Sequence, residues 1–238
     1  MSGLDIIKDV AKQTLSIRTI AGNLDDSLWD RSQRLVRNVE YICKLPEVES
    51  IGSQIDRLCL HTATYFSDTG LAQFLQSGKS VDSLAASSAN AEEILDLCSK
   101  VVEEKLASHL DSSKIKKILR FLSESTNQFT KVPEAMILSD ARNLDDMGAV
   151  GIFNELRRYV IHGKCVSDAL KIWKRKTDYR YWQARLKKSF RFESVRTLAE
   201  QRLSSAEFFM NQLKVENSAH DLGEMVTGKT DFAVPNSR

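Results

Sequence analysis

The sequence predicts an all-α fold on three observations. Pro and Gly are scarce, at three and ten of 238 residues. Long stretches are rich in Leu, Ala, Glu, Lys and Arg, as helical domains are. Apolar residues recur at helical spacing, and no β-alternating run or internal repeat interrupts them. With 42% hydrophobic residues the chain can bury a sizeable core.

The elements follow in order. Leu4, Ile7, Val10, Ala11 and Leu15, with Ile20 near the end, mark a first amphipathic helix over 4–20, broken by "AGNLDDS". A second helix spans 27–44 and stops before Pro46. A third, 51–66, carries Ile51, Ile55, Leu58, Cys59, Thr62 and Tyr65, and ends at "SDTG". Residues 71–77 give a short helix, and "SGKSVDSLAASSAN" reads as a loop with a weak helical centre. Helices follow at 91–107 and 112–123. Pro133, favourable in a first turn, opens a helix that includes 137–153. Two more span 165–187 and 192–216.

Composition excludes several classes. The four Cys, at 43, 59, 98 and 165, include no CxxC pair and read as reduced thiols. "MSGLDIIKDVAKQTL" has no apolar signal core, and no run of eighteen apolar residues predicts a membrane span. The expected location is cytoplasmic. "SGKS" at 77–80 lacks the leading Gly of a phosphate loop, since Gln73 stands there, and no strand precedes it. The four His show no helix-borne zinc spacing. The net charge of +2 hides a basic stretch, 156–202, with fourteen Lys/Arg against four Asp/Glu. It reads first as a solvated face of amphipathic helices. The alternative is weak nucleic-acid contact, with Trp173, Tyr179, Tyr181 and Trp182 as stacking groups.

The most informative segment is "ILSDARNLDDMGAVGIF", 137–153. It sets Asp140, Asp145 and Asp146 among Ile137, Leu138, Leu144, Met147, Val150 and Ile152. Carboxylates in such a frame need a cation or a hydrogen-bond partner. Through Asp140, Ala141, Leu144, Asp145, Gly148, Ala149, Gly151 and Ile152 the segment resembles a helix of the HD-superfamily metal-dependent phosphohydrolases, in their small bacterial branch. There it reads roughly "ILxDADRLDALGAIGIAR". "RSQRLVRNVEYI" (31–42), "RLCLHTATYF" (57–66), "KKILRFLSESTNQF" (116–129) and 181–216 resemble other family segments in the same order.

The resemblance implies an all-α, HD-domain-like helical bundle. The expected organisation is an extra N-terminal helix at 1–22 packed on the bundle, the HD-like domain at 23–216 and a polar, flexible tail at 217–238. The resemblance also implies a metal site of a first His, a His-Asp pair and a distant Asp, which suits a divalent metal that activates water. Here the first position is Arg34 or Gln33, the pair is His61-Thr62, and the distant Asp is Arg142. The His of the family's "EHS" is Ser125. A guanidinium does not lose its proton near neutral pH and repels a metal.

The expectation is therefore a catalytically inactive HD-like protein without cofactor. It would bind a phosphate-containing small molecule or a protein partner, with Asp140, Asp145 and Ser125 near the old site. The enzymatic alternative is a phosphohydrolase with a divalent metal on relocated ligands His61, Asp140, Asp145 and Asp68. Arg142, if inward, is expected to pair with Asp145 or an acid of a neighbouring helix, close to His61.

Overall fold

The computed structural model describes residues 3–18, 22–51, 55–77 and 90–227. Helix α1 (Gly3–Leu15) buries Ile7, Ala11 and Leu15 along one stripe. The helix ends at Leu15 and a small ribbon follows; Ile20 lies outside the described residues. Strands β1 (Ile17–Arg18) and β2 (Leu24–Asp25) pair antiparallel, Ile17 opposite Asp25. Two residues a side are too few to show as alternation in sequence.

Helix α2 (Ser27–Ile42) buries Leu28, Trp29, Leu35, Val36, Val39 and Ile42. A single turn, α3 (Pro46–Glu49), follows. Helix α4 (Arg57–Phe66) starts later than the sequence predicts, because the Asp56 carboxylate accepts the Cys59 N–H and caps it there. Ile51 lies in the turn after α3. Helices α5 (Thr69–Gln76), α6 (Ala91–Leu106) and α7 (Ser112–Glu124) come next. Asn90 and Asp111 cap the last two. Most of the loop read at 77–90 lies outside the described residues.

The motif segment occupies two helices, α8 (Pro133–Asp145) and α9 (Gly148–Ile161), not one. The break is made by Gly148, at φ +82°, where a Cβ would lie 2.9 Å from the Arg202 Cβ. The helix read at 165–187 is also two, α10 (Val166–Asp178) and α11 (Tyr181–Ser189). Arg180 joins them in a left-handed conformation, φ 53°. Packing explains the strained residue. Trp173 and Trp182, nine residues apart, would lie on opposite faces of one continuous helix. The break brings their rings to 5.3 Å. Helix α12 (Glu193–Asn217) is the longest described, and α13 (His220–Thr227) lies within the stretch read as a flexible tail. Residues 228–238 lie outside the described residues.

Helix α4 is central and touches α1, α2, α7 and α8, while α2 also runs along α8. A single apolar cluster joins α1 to α8 with Trp182, Leu186 and the start of α12. A smaller one, around Ile152, Ala206 and Met210, holds α9 against α12. This packing sets Arg31 and Arg34 of α2 opposite the last turn of α8, with the α4–α5 junction alongside.

Candidate functional site: a buried arginine–aspartate cluster

Asp68 and Asp145 are buried, with side chains 4% and 3% exposed. Arg31 answers both. Its Nη1 donates to Asp68 Oδ2 at 2.6 Å, and its Nε lies 3.3 Å from Asp145 Oδ2. Its Nη2 donates to Asp146 Oδ1 at 3.2 Å. One turn along α2, Arg34 grips Asp145 with both prongs, Nε to Oδ1 at 2.9 Å and Nη2 to Oδ2 at 3.3 Å. Arg185 of α11 donates to Asp146 Oδ2 at 2.7 Å, and Arg202 of α12 donates to the Leu144 carbonyl at 2.8 Å.

Burial pulls the Arg31 pKa down, but Asp68, Asp146 and Asp145 outweigh it and hold the guanidinium above its ordinary value. Burial likewise pushes Asp146 up. Arg31 and Arg185 overcome it, so the carboxyl stays below the usual range.

Arg142 sits at its edge. Its side chain is 33% exposed, and its Nη2 is 3.8 Å from Asp68 Oδ1. The partner is an acid from a neighbouring element. Asp145 is taken by Arg34 and Arg31.

The other predicted residues are dispersed. His61 is half-buried, its Nε2 unpartnered, and its ionisable surroundings are Glu40 and Arg57. Burial holds its pKa below the ordinary value. The Thr62 hydroxyl donates back to the Leu58 carbonyl. Gln33 is half-buried and has no described partner in the cluster. Asp140 points to the start of α12, where it accepts the N–H groups of Arg191 and Phe192 at 2.9–3.0 Å. Burial, only partly offset by those bonds, pushes its carboxyl up to about 7. So Asp68 and Asp145 of the relocated-ligand set come together, and His61 and Asp140 do not join them. Among the described residues no group of three or more His, Cys, Asp or Glu is placed to hold a metal ion. The carboxylates that do converge already carry guanidinium partners, so the donor set does not fit a divalent cation.

Sequence reasoning missed Arg31 and Arg185. Arg31 lies three residues before Arg34 and so on the same helix face, which was a usable signal.

A cavity of about 350 Å³ opens beside the cluster. Arg31, Arg142, Lys188 and Arg191 line it, with Asp146 as the acid and Ser125, Ser139 and Asn143 as neutral polar groups. Ser125 is among the lining residues, and its hydroxyl donates to the Leu122 carbonyl. The Arg191 Nε is buried without a partner. A second cavity of about 330 Å³, which has Arg31 and Asp146 in common with the first, is lined by Tyr181, Trp182, Lys176, Arg158 and Arg185. The aromatics of the basic stretch are mostly spent on internal contacts. Trp173, Tyr181 and Trp182 pack on one another, and Tyr179 is exposed.

No family model matches the chain, nor does any curated protein. Solved structures do. Bacillus subtilis YpgQ in complex with ADP aligns at a TM-score of 0.57 and 16% identity, over 91% of this chain and 97% of that one. A second structure of Bacillus subtilis YpgQ aligns at 0.58 and 15%, over 91% and 97%. A Lactobacillus plantarum protein aligns at 0.58 and 16%, over 92% and 98%. At such identity the likeness speaks of the fold, which is an all-α, HD-domain-like helical bundle.

Proposed function

We propose that this chain is a non-catalytic binding module on an HD-like scaffold, holding a phosphate-bearing ligand such as a nucleotide in the cavity beside Arg31 and Arg142, without a metal. The observation that carries the reading is the charge of that cavity. Arg31, Arg142, Lys188 and Arg191 face Asp146 as their acidic neighbour. Arginine and lysine bind phosphate directly, and a planar guanidinium offers two donors at once. Arg142, held 3.8 Å from its carboxylate, is loosely paired and free to turn toward a ligand. The ADP bound to the structurally similar YpgQ is compatible with such a ligand.

The reading also re-places the inherited site. A ligand set has to converge on one point, and Arg142 and Arg31 converge on Asp68. On this reading the first-ligand position is Arg31, not Arg34 or Gln33. The paired position is Ser67–Asp68, not His61–Thr62. Asp68 is then the retained ligand, salt-bridged to the residue in place of the first His. The Ser67 hydroxyl, buried and unpartnered, stands where the paired His would.

The test is calorimetric titration of ADP and of pyrophosphate into the chain in excess EDTA. Both should bind, and Arg142→Ala should weaken both by about tenfold or more, 1.4 kcal/mol per decade. No binding of either, or phosphate release from ADP that depends on added metal, would overturn the reading.

A further inference from the structure

We propose that a third cavity, lined by α2, α12 and the opening of α9, is a separate binding site for a small dianion: the phosphate monoester of a molecule with a compact apolar body. It stands apart from the reading above, since no residue lines both this cavity and the one beside Arg142.

Two observations carry it. The first is positive charge left over. The cavity has a volume of about 420 Å³, and Arg34 and Arg37 of α2 and Arg202 of α12 line it with a single acid, Asp145. That acid is already matched, because Arg34 grips it with two bonds and the Arg31 Nε lies 3.3 Å from it. Arg37 is exposed and pairs with no acid among the described residues. Arg202 is half-buried, and its described hydrogen bond goes to a neutral group, the Leu144 carbonyl. Burial holds the Arg202 pKa below its ordinary value, and Asp145 offsets only part of that. Two guanidinium groups are thus left without an acid of their own, which matches the two negative charges of a phosphate monoester. The donors are not used up. Arg34 spends Nε and Nη2 on Asp145, and Arg202 spends Nη1 on Leu144, so each keeps a prong for a ligand.

The second observation is the remaining wall. Met147, Ala149 and Val150 form it, and the Val150 side chain is 40% exposed. A bare ion leaves such a surface unused, whereas an ester with an apolar body covers it. The same residues open helix α9. Met147 stands at its N-cap and offers the first turn no side-chain acceptor, so the N–H groups there add to the positive field of the arginines.

The experiment is an NMR titration of the full chain with phenyl phosphate and with benzoate, in EDTA and about 0.15 M salt, where exposed charges are screened beyond about 8 Å. The two probes share a ring and differ in charge. Phenyl phosphate should shift the backbone amide resonances of Ala149 and Val150 saturably, and benzoate should bind at least about tenfold more weakly. Arg37→Glu changes an exposed, unpaired side chain and should weaken phenyl phosphate by about tenfold or more at those amides. Arg142→Ala should leave them responding as in the parent. No saturable shift at Ala149 and Val150, equal affinity for benzoate, or an unchanged affinity in Arg37→Glu overturns the site and leaves the cavity beside Arg142 untouched. Loss of the shifts in Arg142→Ala also overturns it, because the amides would then be reporting binding at the other cavity.

Discussion

Arg31 donates to Asp68 across 2.6 Å and so ties α2 to the α4–α5 junction. The same guanidinium contacts Asp145 and Asp146. Removing it leaves Asp68 buried, with Arg142 at 3.8 Å as its remaining cation. Arg31→Ala should therefore destabilise the fold by about 3 kcal/mol, the cost of orphaning a buried charge. Arg31→Ala together with Asp68→Ala should cost less than the two single changes added, because the pair is then removed together. Urea unfolding of the four proteins measures the coupling. Additive losses would mean that the contact contributes nothing.

Arg142→Ala should behave differently. The side chain is one-third exposed and its ion pair is long, which places it among the weak surface pairs. The expected loss of stability is below about 1 kcal/mol. Arg34→Ala should cost about 2–3 kcal/mol, since it breaks a two-pronged bond to a carboxylate that is 3% exposed. The order matters. A variant neutral for folding and damaging for phosphate binding marks a residue kept for the ligand.

The sequence made the bundle legible because helical spacing and the 137–153 segment act locally and survive drift. Three things were not local. The bend at Arg180 puts a non-glycine residue in the left-handed region, and its reason is the meeting of Trp173 with Trp182. The break at Gly148 depends on the approach of α12. That Arg31 and not Arg34 reaches Asp68 depends on which turn of α2 faces the α4–α5 junction, and a shift of three residues leaves the helical pattern almost unchanged. "SDTG" was legible as a helix end, and Asp68 is where α4 gives way to α5. Its burial against Arg31 could be seen only after folding.

The proposed placement of the site yields a pair of opposed variants. Arg31→His, Ser67→His and Arg142→Asp together, with the native Asp68, would rebuild two His and two Asp at one point. Measurable uptake of manganese or iron is expected by elemental analysis, though not turnover, since groups around the ligands also set affinity. Arg34→His, Thr62→Asp and Arg142→Asp, with the native His61, should take up none. The Thr62 hydroxyl bonds to its own helix, and His61 looks toward Glu40 and Arg57. Uptake by the second triple variant and not the first would return the site to His61. The unsubstituted protein, purified without chelator, should carry no stoichiometric metal.

Asp140 sets a pH dependence whose sign can be worked out. Its carboxylate receives the N–H groups of Arg191 and Phe192, where the chain turns into α12. Glu47 holds the next two backbone N–H groups, of Glu193 and Ser194, and adds a repulsive charge. The positive charge that acts on it is that of Arg191. Burial dominates and pushes the Asp140 carboxyl up to about 7, from 3.8. A carboxyl with a raised native pKa binds more protons folded than unfolded between those two values, so this group favours folding as pH falls. Its destabilising effect is full above pH 7 and is relieved progressively down to about pH 4. Asp140→Asn removes the titration. It also turns an NH₂ toward two backbone donors, at a cost of about 1–3 kcal/mol. Melting temperature measured from pH 8 to pH 5 should therefore rise for the parent relative to the variant. Parallel curves would mean that Asp140 stays ionised throughout, its three N–H contacts outweighing burial.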